Sequence, residues 1–229
     1  MSDAQIIQRV KDAKATIEAD FQRADVIFDA LLNSSQYPED LKKVVKSLKS
    51  DNDILKNSFQ SDQIETAFDH SAWVSAVVRD FINKDYSALV NDKTPLEDRK
   101  KIAEQDISRF SEGFNRFKWA REDFAPFPAK VTTYVDKVTT QFKRYKLDAL
   151  ANEFVKLFSN VPDSLTAFDV IFFIAELNTE AAVVGLQTAN KQENNAAFKA
   201  EVDKVLNNLR PFKTLLKDFE EVLKPGQGQ

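Results

Sequence analysis

The stretch FKAEVDKVLNNLRPFKTLLKDFEEVL, residues 198–223, carries the most regular apolar pattern in this chain. Its apolar positions recur in alternating steps of four and three residues, the heptad spacing of helices that pack along one seam. These positions are Phe198, Val202, Val205, Leu209, Phe212, Leu216, Phe219 and Leu223. Pro211 lies inside the pattern, and we expect a kink or local break there because proline removes a backbone donor. The stretch predicts a long helix with one buried face.

Similar spacing recurs in three other places and predicts further bundle helices. The sets are Val10, Ala13, Ile17, Phe21, Ala24, Phe28 and Leu31; Leu41, Val45, Leu48, Asn52, Leu55 and Phe59; and Val131, Val135, Val138, Phe142, Tyr145 and Ala149. The first set predicts a helix of about 30 residues. Asn52 takes a core position, where it could fix the register against a polar partner or mark a frayed joint. The surrounding sequence KSDND is a poor helix centre and favours the joint.

Turn-forming segments separate these patterns. They are NSSQYP at 33–38, NDKTP at 91–95, FAPFP at 124–128, NVPDS at 160–164 and KPGQGQ at 224–229. The chain has only four glycines, which is unfavourable for sheets and phosphate-binding loops but not for helices. We therefore predict an all-α fold, an elongated up-and-down antiparallel bundle of six or seven long helices with heptad-like seams. Residues 1–224 would form one domain, and 225–229 a flexible C-terminal tail.

Composition excludes several classes of protein. The 229 residues include no cysteine, which excludes disulfides and thiolate chemistry, and 19 phenylalanines, which predict a core rich in aromatic rings. The net charge of −4 argues against nucleic acid as a partner. The N-terminus has no continuous apolar segment of a secretory signal, and no stretch has the roughly 20 apolar residues of a spanning helix. We expect a soluble protein that is cytoplasmic or exported without a signal peptide.

The least polar stretch, AFDVIFFIAEL at 167–177, has two interpretations. On a helix starting near Ser164, four residues form one narrow polar stripe that Phe173 interrupts: Asp169, Glu176, Glu180 and Gln187. The helix is then either a central core element with one edge in water, or a releasable segment over 165–187 that contacts a membrane or a partner. The contact residues predicted by the second interpretation are Phe168, Phe172, Phe173 and Ile174.

Two other features are candidate contact sites. Trp119 in FNRFKWAR (114–121) lies opposite the phenylalanine face of its helix, so it is either packed by a second helix or an exposed anchor. Lys42, Lys43, Lys46 and Lys49 form the basic face of a short amphipathic helix, which is either solvated or attracted to an anionic membrane surface. His70, the only histidine, is expected to be structural and partly buried.

No catalytic, metal-binding or cofactor motif is present, so we predict no catalytic residues, no metal site and no cofactor. The layout resembles two broad groups, the exchangeable lipid-binding helical bundles and the all-helical pore-forming proteins, without a shared motif. We expect a non-enzymatic bundle that docks a protein partner or self-associates. The alternatives are a lipid- or membrane-active bundle, and a bundle that holds an apolar ligand between its helices.

Overall fold

The computed structural model describes residues 1–224 and is helical nearly throughout, with no strand in that range. The five helices of 20 residues or more are α1, α2, α5, α8 and α9. The α-helices are α1 (Asp3–Asn33), α2 (Glu39–Ser58), α3 (Thr66–Asp80), α4 (Tyr86–Leu89), α5 (Leu96–Phe124), α6 (Phe127–Arg144), α7 (Asp148–Leu157), α8 (Val161–Asn190) and α9 (Asn195–Leu223). Two π-helical segments join α2 to α3 and α3 to α4: the first π segment (Phe59–Glu65) and the second π segment (Phe81–Asp85). The all-α prediction is confirmed for the described residues, and the predicted tail at 225–229 lies outside them.

The described chain groups into two compact units. The N-terminal unit contains Ser2–Ile64 and Glu122–Asp169, and the C-terminal unit contains Met1, Glu65–Arg121 and the chain from Val170 onward. The chain passes between the units within the first π segment, within α5 and within α8. The single domain over 1–224 stays a prediction.

The N-terminal unit is built around a cluster of aromatic rings. Phe21, Phe28, Phe142 and Phe154 are fully buried, and their ring centroids lie between 5.2 and 6.4 Å from those of neighbouring rings. All of these pairs are edge-to-face or tilted, which avoids the face-to-face stacking that the quadrupoles of aromatic rings disfavour. All seven predicted core positions of α1 are buried, and α1 has 31 residues as the pattern predicted.

Asn52 is a buried polar residue of the N-terminal unit, and the interpretation of its sequence as a frayed joint is wrong. Its Nδ2 donates to the Phe21 carbonyl and to Asp25 Oδ1, each at 3.0 Å, and the Tyr134 hydroxyl donates to its Oδ1 at 2.7 Å. Helix α2 runs through Asn52 without interruption. Since these bonds connect α1, α2 and α6, a shift of any of the three helices would leave buried polar groups unsatisfied. The contacts favour the register-fixing interpretation.

Three details of the helices differ from the prediction. Of the kink or local break predicted at Pro211, the break is absent, since α9 is continuous from Asn195 to Leu223. Pro211 and Asn207, whose carbonyl it leaves without a helical donor, both lie on the exposed side of α9. Helix α8 begins at Val161 rather than near Ser164, with Pro162 in its first turn. The pattern predicted through Ala149 is interrupted after Arg144, where Lys146 adopts a φ of 61°.

The C-terminal unit contains a fully buried arginine that links its loops. Arg99 Nε donates to the Thr94 carbonyl at 3.0 Å, and its Nη1 donates to the carbonyl of Leu89, the last residue of α4. Its Nη2 donates to Asn195 Oδ1 at the start of α9, and its guanidinium lies 5.5 Å from the centre of the Phe198 ring. The carbonyl at the end of α4 offers the partial negative charge that a buried cation requires.

Candidate partner-binding surface

Helix α8 exposes apolar side chains on one line of its surface in the C-terminal unit. Phe173 is 53% exposed, Leu177 48% and Val184 53%. Residues spaced by four and by seven lie on the same side of a helix, so the three side chains form one stripe, which we call the apolar row. Together they form an exposed apolar surface, a feature of many protein-binding sites.

The other predicted contact residues of this helix lie away from solvent. Phe168 and Phe172 are fully buried, and Phe172 packs edge-to-face on Phe219 of α9 with 5.8 Å between ring centroids. Ile174 is half-buried. In this structure only Phe173 of the four is open to a partner, and Phe168 and Phe172 could reach one only if α8 left its position.

The predicted polar stripe of α8 does not face water along its whole length. Glu176, expected at the exposed edge, is 4% exposed and accepts a hydrogen bond from Arg121 Nη2 of α5 at 3.0 Å. Asp169 and Glu180 are exposed as predicted. The sequence could not show this burial, because the cation that accompanies Glu176 is 55 residues away in the chain.

A shallow cleft adjoins the apolar row on the side of α5. Its volume is about 210 Å³, and it lies between the two helices. The lining residues are Ser111, Phe114, Asn115, Glu180 and Val183. Two apolar side chains beside one carboxylate and two neutral polar groups offer a place for an apolar side chain with a polar neighbour, which is the usual composition of a protein-binding groove.

Trp119 of α5 is the second exposed aromatic candidate. Its side chain is 44% exposed, and its ring centroid lies 6.3 Å from that of His70 on α3, with the two planes tilted by 54°. The adjacent turn of α5 carries Arg116, whose guanidinium stacks 4.3 Å from the centre of the Trp73 ring. Trp119 therefore packs against α3 on one side and keeps the other side in solvent. His70 is half-buried, as expected.

The four lysines of α2 are not a uniform free cationic face. Lys42 lies 3.6 Å from Glu39, and Lys49 forms a close ion pair with Asp29 of α1. The hydrogen bond between Lys49 and Asp29 is the largest of the causes that raise the pKa of Lys49. Lys43 and Lys46 are exposed. Only two of the four ammonium groups are therefore left for an anionic surface, which reduces the attraction expected there.

The described residues offer neither a metal site nor a membrane span. No three histidine or acidic side chains of residues 1–224 converge closely enough to hold a metal ion. No helix in the same range combines the length and the apolarity needed to cross a bilayer.

Comparisons of this chain with protein-family models, curated proteins and solved structures found no match.

Proposed function

We propose that this chain is a non-enzymatic antiparallel helical bundle that acts by binding a protein surface, of a partner or of a second copy, through the apolar row of α8. The observation that carries the proposal is the alignment of Phe173, Leu177 and Val184, the three exposed large apolar residues of α8, on one side of that helix. Exposed apolar side chains that share one side of a helix are a feature of surfaces that bind another protein.

Contacts between helices support the bundle architecture. In the N-terminal unit, Asn52 of α2 bonds to Asp25, and Gln60 of the first π segment, which follows α2, bonds to Glu18, nearer the start of α1. In the C-terminal unit, the ring of Phe172 on α8 meets Phe219, and Gly185 approaches Val205. In both pairs of helices the residue numbers rise on one helix as they fall on the other, which is the relation expected for antiparallel neighbours.

The spacing of the row favours a helix as the docking element. Phe173, Leu177 and Val184 follow the steps of four and seven residues found in helix-on-helix seams, and the cleft beside α5 could take one side chain from such a helix.

Site-specific photo-crosslinking tests the proposal. A photoreactive phenylalanine analogue placed at Phe173 should give a crosslinked species, with the mass of two chains for self-association or of one chain plus a partner. The matched control carries the same analogue at Ile54, which is 63% exposed on the N-terminal unit, and should give no such species. Sedimentation as a monomer only, at working concentration and in lysate, together with no crosslink from position 173, would contradict the proposal.

A second candidate, association with lipid, rests on the apolar run 167–177. It requires segment 165–187 to leave its position, and this would separate Glu176 from Arg121 and carry the carboxylate toward lipid, at a cost of about 3 kcal/mol at a bilayer centre. Flotation with neutral and anionic liposomes, at neutral and mildly acidic pH, tests this candidate. Phe173→Asp should abolish flotation and Phe173→Leu should preserve it, whereas a wild-type chain that stays at the bottom of every gradient contradicts lipid association.

A ligand held between helices is the third proposal. The clefts described in the N-terminal unit have volumes of about 260 to 380 Å³ and open to the surface. One of them, between α6 and α7, has Val131, Val155 and Phe158 among its lining residues. Its apolar lining suits a small apolar molecule. A fluorescent apolar dye should bind there, and Val155→Asp should abolish that binding.

A further inference from the structure

Asp106 is a buried carboxyl group in the middle of α5, within the C-terminal unit. Its side chain is 2% exposed, and no donor reaches its Oδ2. An ionised carboxylate at this place would carry a buried oxygen with no hydrogen bond, which is costly. The surroundings of Asp106 therefore suit the neutral acid better than the anion.

The second π segment brings another carboxylate to Asp106. Asp85, the last residue of that segment, is largely buried. A hydrogen bond between the two carboxyl groups is one of the causes that raise the pKa of Asp106. Arg109 Nη1 of α5 lies 3.7 Å from Asp85 Oδ2 and 3.9 Å from Asp106 Oδ1, which places both carboxyl groups beside the same cation. Both distances are too long for hydrogen bonds, and the half-exposed guanidinium is screened by water, so one arginine does not compensate two buried anions.

Charged groups of α3 and α9 also lie near the two carboxyl groups. Asp80, at the end of α3, adds a third negative charge. Helix α9 also packs on the second π segment, but its nearby Asp203 is bonded to the Tyr86 hydroxyl at 2.6 Å and to Lys199 at 2.9 Å. Burial first, then the hydrogen bond to Asp85 and its charge, raise the pKa of Asp106 to about 8, and Arg109 opposes this rise.

We propose that Asp106 and Asp85 share one proton and form a pH-sensitive latch that holds α5 against the second π segment. With the proton present, the Asp106 hydroxyl donates to the Asp85 carboxylate, and one negative charge faces Arg109. When the proton is lost to solvent, two carboxylates face each other in a buried place, and their repulsion favours a state in which Asp85 moves into water.

The direction of the pH effect follows from the two states. In the closed state Asp106 keeps its proton up to a pH of about 8, whereas in the open state it has the ordinary affinity of an aspartate, with a pKa of 3.8. Between these values the closed state binds one more proton, so the opening constant rises by about tenfold per pH unit at most and levels off above the upper value. The latch is strongest at acidic pH and weakest at alkaline pH.

A residue-specific measurement is needed, because another acid contributes to global stability in the same direction. Asp20 of the N-terminal unit is buried, which raises its pKa to about 6 against the opposing charge of Arg23. Its stabilising contribution is also lost as the pH rises. A melting curve of the whole chain would therefore mix the two acids.

Carbon NMR of the aspartate carboxyl groups, together with amide hydrogen exchange at residues 81–86, tests the latch in the full chain. The Asp106 carboxyl should titrate near pH 8, and the protection factors of these amides should fall between pH 5 and 8 by up to about tenfold per unit. Titration of Asp106 below pH 5, or protection factors that do not change with pH, would overturn the proposal.

Two variants and one control separate the latch from a purely structural role. Asp106→Asn, a neutral isostere, should make the protection of residues 81–86 independent of pH, and Asp85→Asn should move the Asp106 titration to lower pH while the chain stays folded. Glu104→Gln, which neutralises an exposed acid on the same helix, should leave both readouts unchanged. If Asp106→Asn does not fold, the wild-type titration and Asp85→Asn still decide, and an unchanged Asp106 titration in Asp85→Asn contradicts the sharing of a proton.

Discussion

Helices α8 and α9 are nearly equal in length, at 30 and 29 residues, yet they use their apolar residues differently. Helix α9 buries all eight positions of its predicted seam. Helix α8 buries Phe172, Ala175 and Ala182 but leaves Phe173, Leu177 and Val184 in solvent. Burial therefore accounts for the whole predicted seam of α9 but only for part of the apolar content of α8, and our proposal assigns the exposed part to binding.

The largest expected difference between the helices comes from truncating one phenylalanine in each. Phe219→Ala in α9 should lower the free energy of unfolding by about 3–5 kcal/mol, because it empties a buried site against Phe172. Phe173→Ala in α8 is the matched control and should change it by less than about 1 kcal/mol. Urea denaturation measures both, and equal losses would show that the row is part of the core.

The close approach between the two helices gives the next effect. A Cβ added at Gly185 would lie 2.5 Å from Val205 Cγ2, and the β-branched valine has little freedom to move away. Gly185→Ala should therefore destabilise the fold by about 1–2 kcal/mol, although alanine favours helices over glycine by about 1 kcal/mol.

A double-mutant cycle identifies the cause of that loss. Val205→Ala in the Gly185→Ala background should recover part of the stability, since it removes the methyl group in question. Purely additive losses in the cycle would mean that Gly185 is required for another reason.

A smaller change in stability is expected from replacing Pro211, the proline inside α9. Pro211→Ala should raise the free energy of unfolding by about 1 kcal/mol, because it restores a backbone donor in a continuous helix while also increasing the entropy of the unfolded chain. Thermal unfolding at two pH values measures the change. A loss of stability would indicate that the proline shapes α9 for its neighbours.

The smallest effect on stability, and the largest on association, is expected for the apolar row itself. Leu177→Ser should change the free energy of unfolding by no more than about 0.5 kcal/mol, since surface substitutions seldom change more. The same variant should remove the crosslink formed from position 173. Persistence of that crosslink would place the contact elsewhere and remove the distinction between α8 and α9.

The sequence predicted local features of the fold better than contacts between distant residues. Heptad spacing located the buried face of α9 and that of α1, because periodicity depends only on near neighbours. It missed the end of α6, where the Leu147 amide donates to the Phe142 carbonyl and the Lys146 amide to the Lys143 carbonyl. This is a Schellman ending, which usually has glycine at the position that Lys146 occupies, so the sequence gave no turn signal.

The candidate surface was predictable only in part. Phe173 interrupts the polar stripe of its own helix, and this local feature correctly indicated an exposed aromatic residue. Buried Glu176 is paired with Arg121, and buried Arg99 with a loop and with α9, and no spacing along the chain reveals such pairs. Whether a polar residue is buried depends on partners that are distant in sequence. Buried polar residues are therefore the part of this molecule that sequence patterns predict least well.

The second π segment holds one more residue than a regular α-helical turn would. A π turn contains more residues than an α turn, so the extra residue is absorbed locally and the helix beyond it keeps its phase. The same extra residue in an uninterrupted α-helix would rotate every following side chain by about 100°. Because the π segment prevents this rotation, Tyr86 faces Asp203. A homologous chain that lacks one residue in Phe81–Asp85 should therefore have regular α-helix here and keep the tyrosine–aspartate pair.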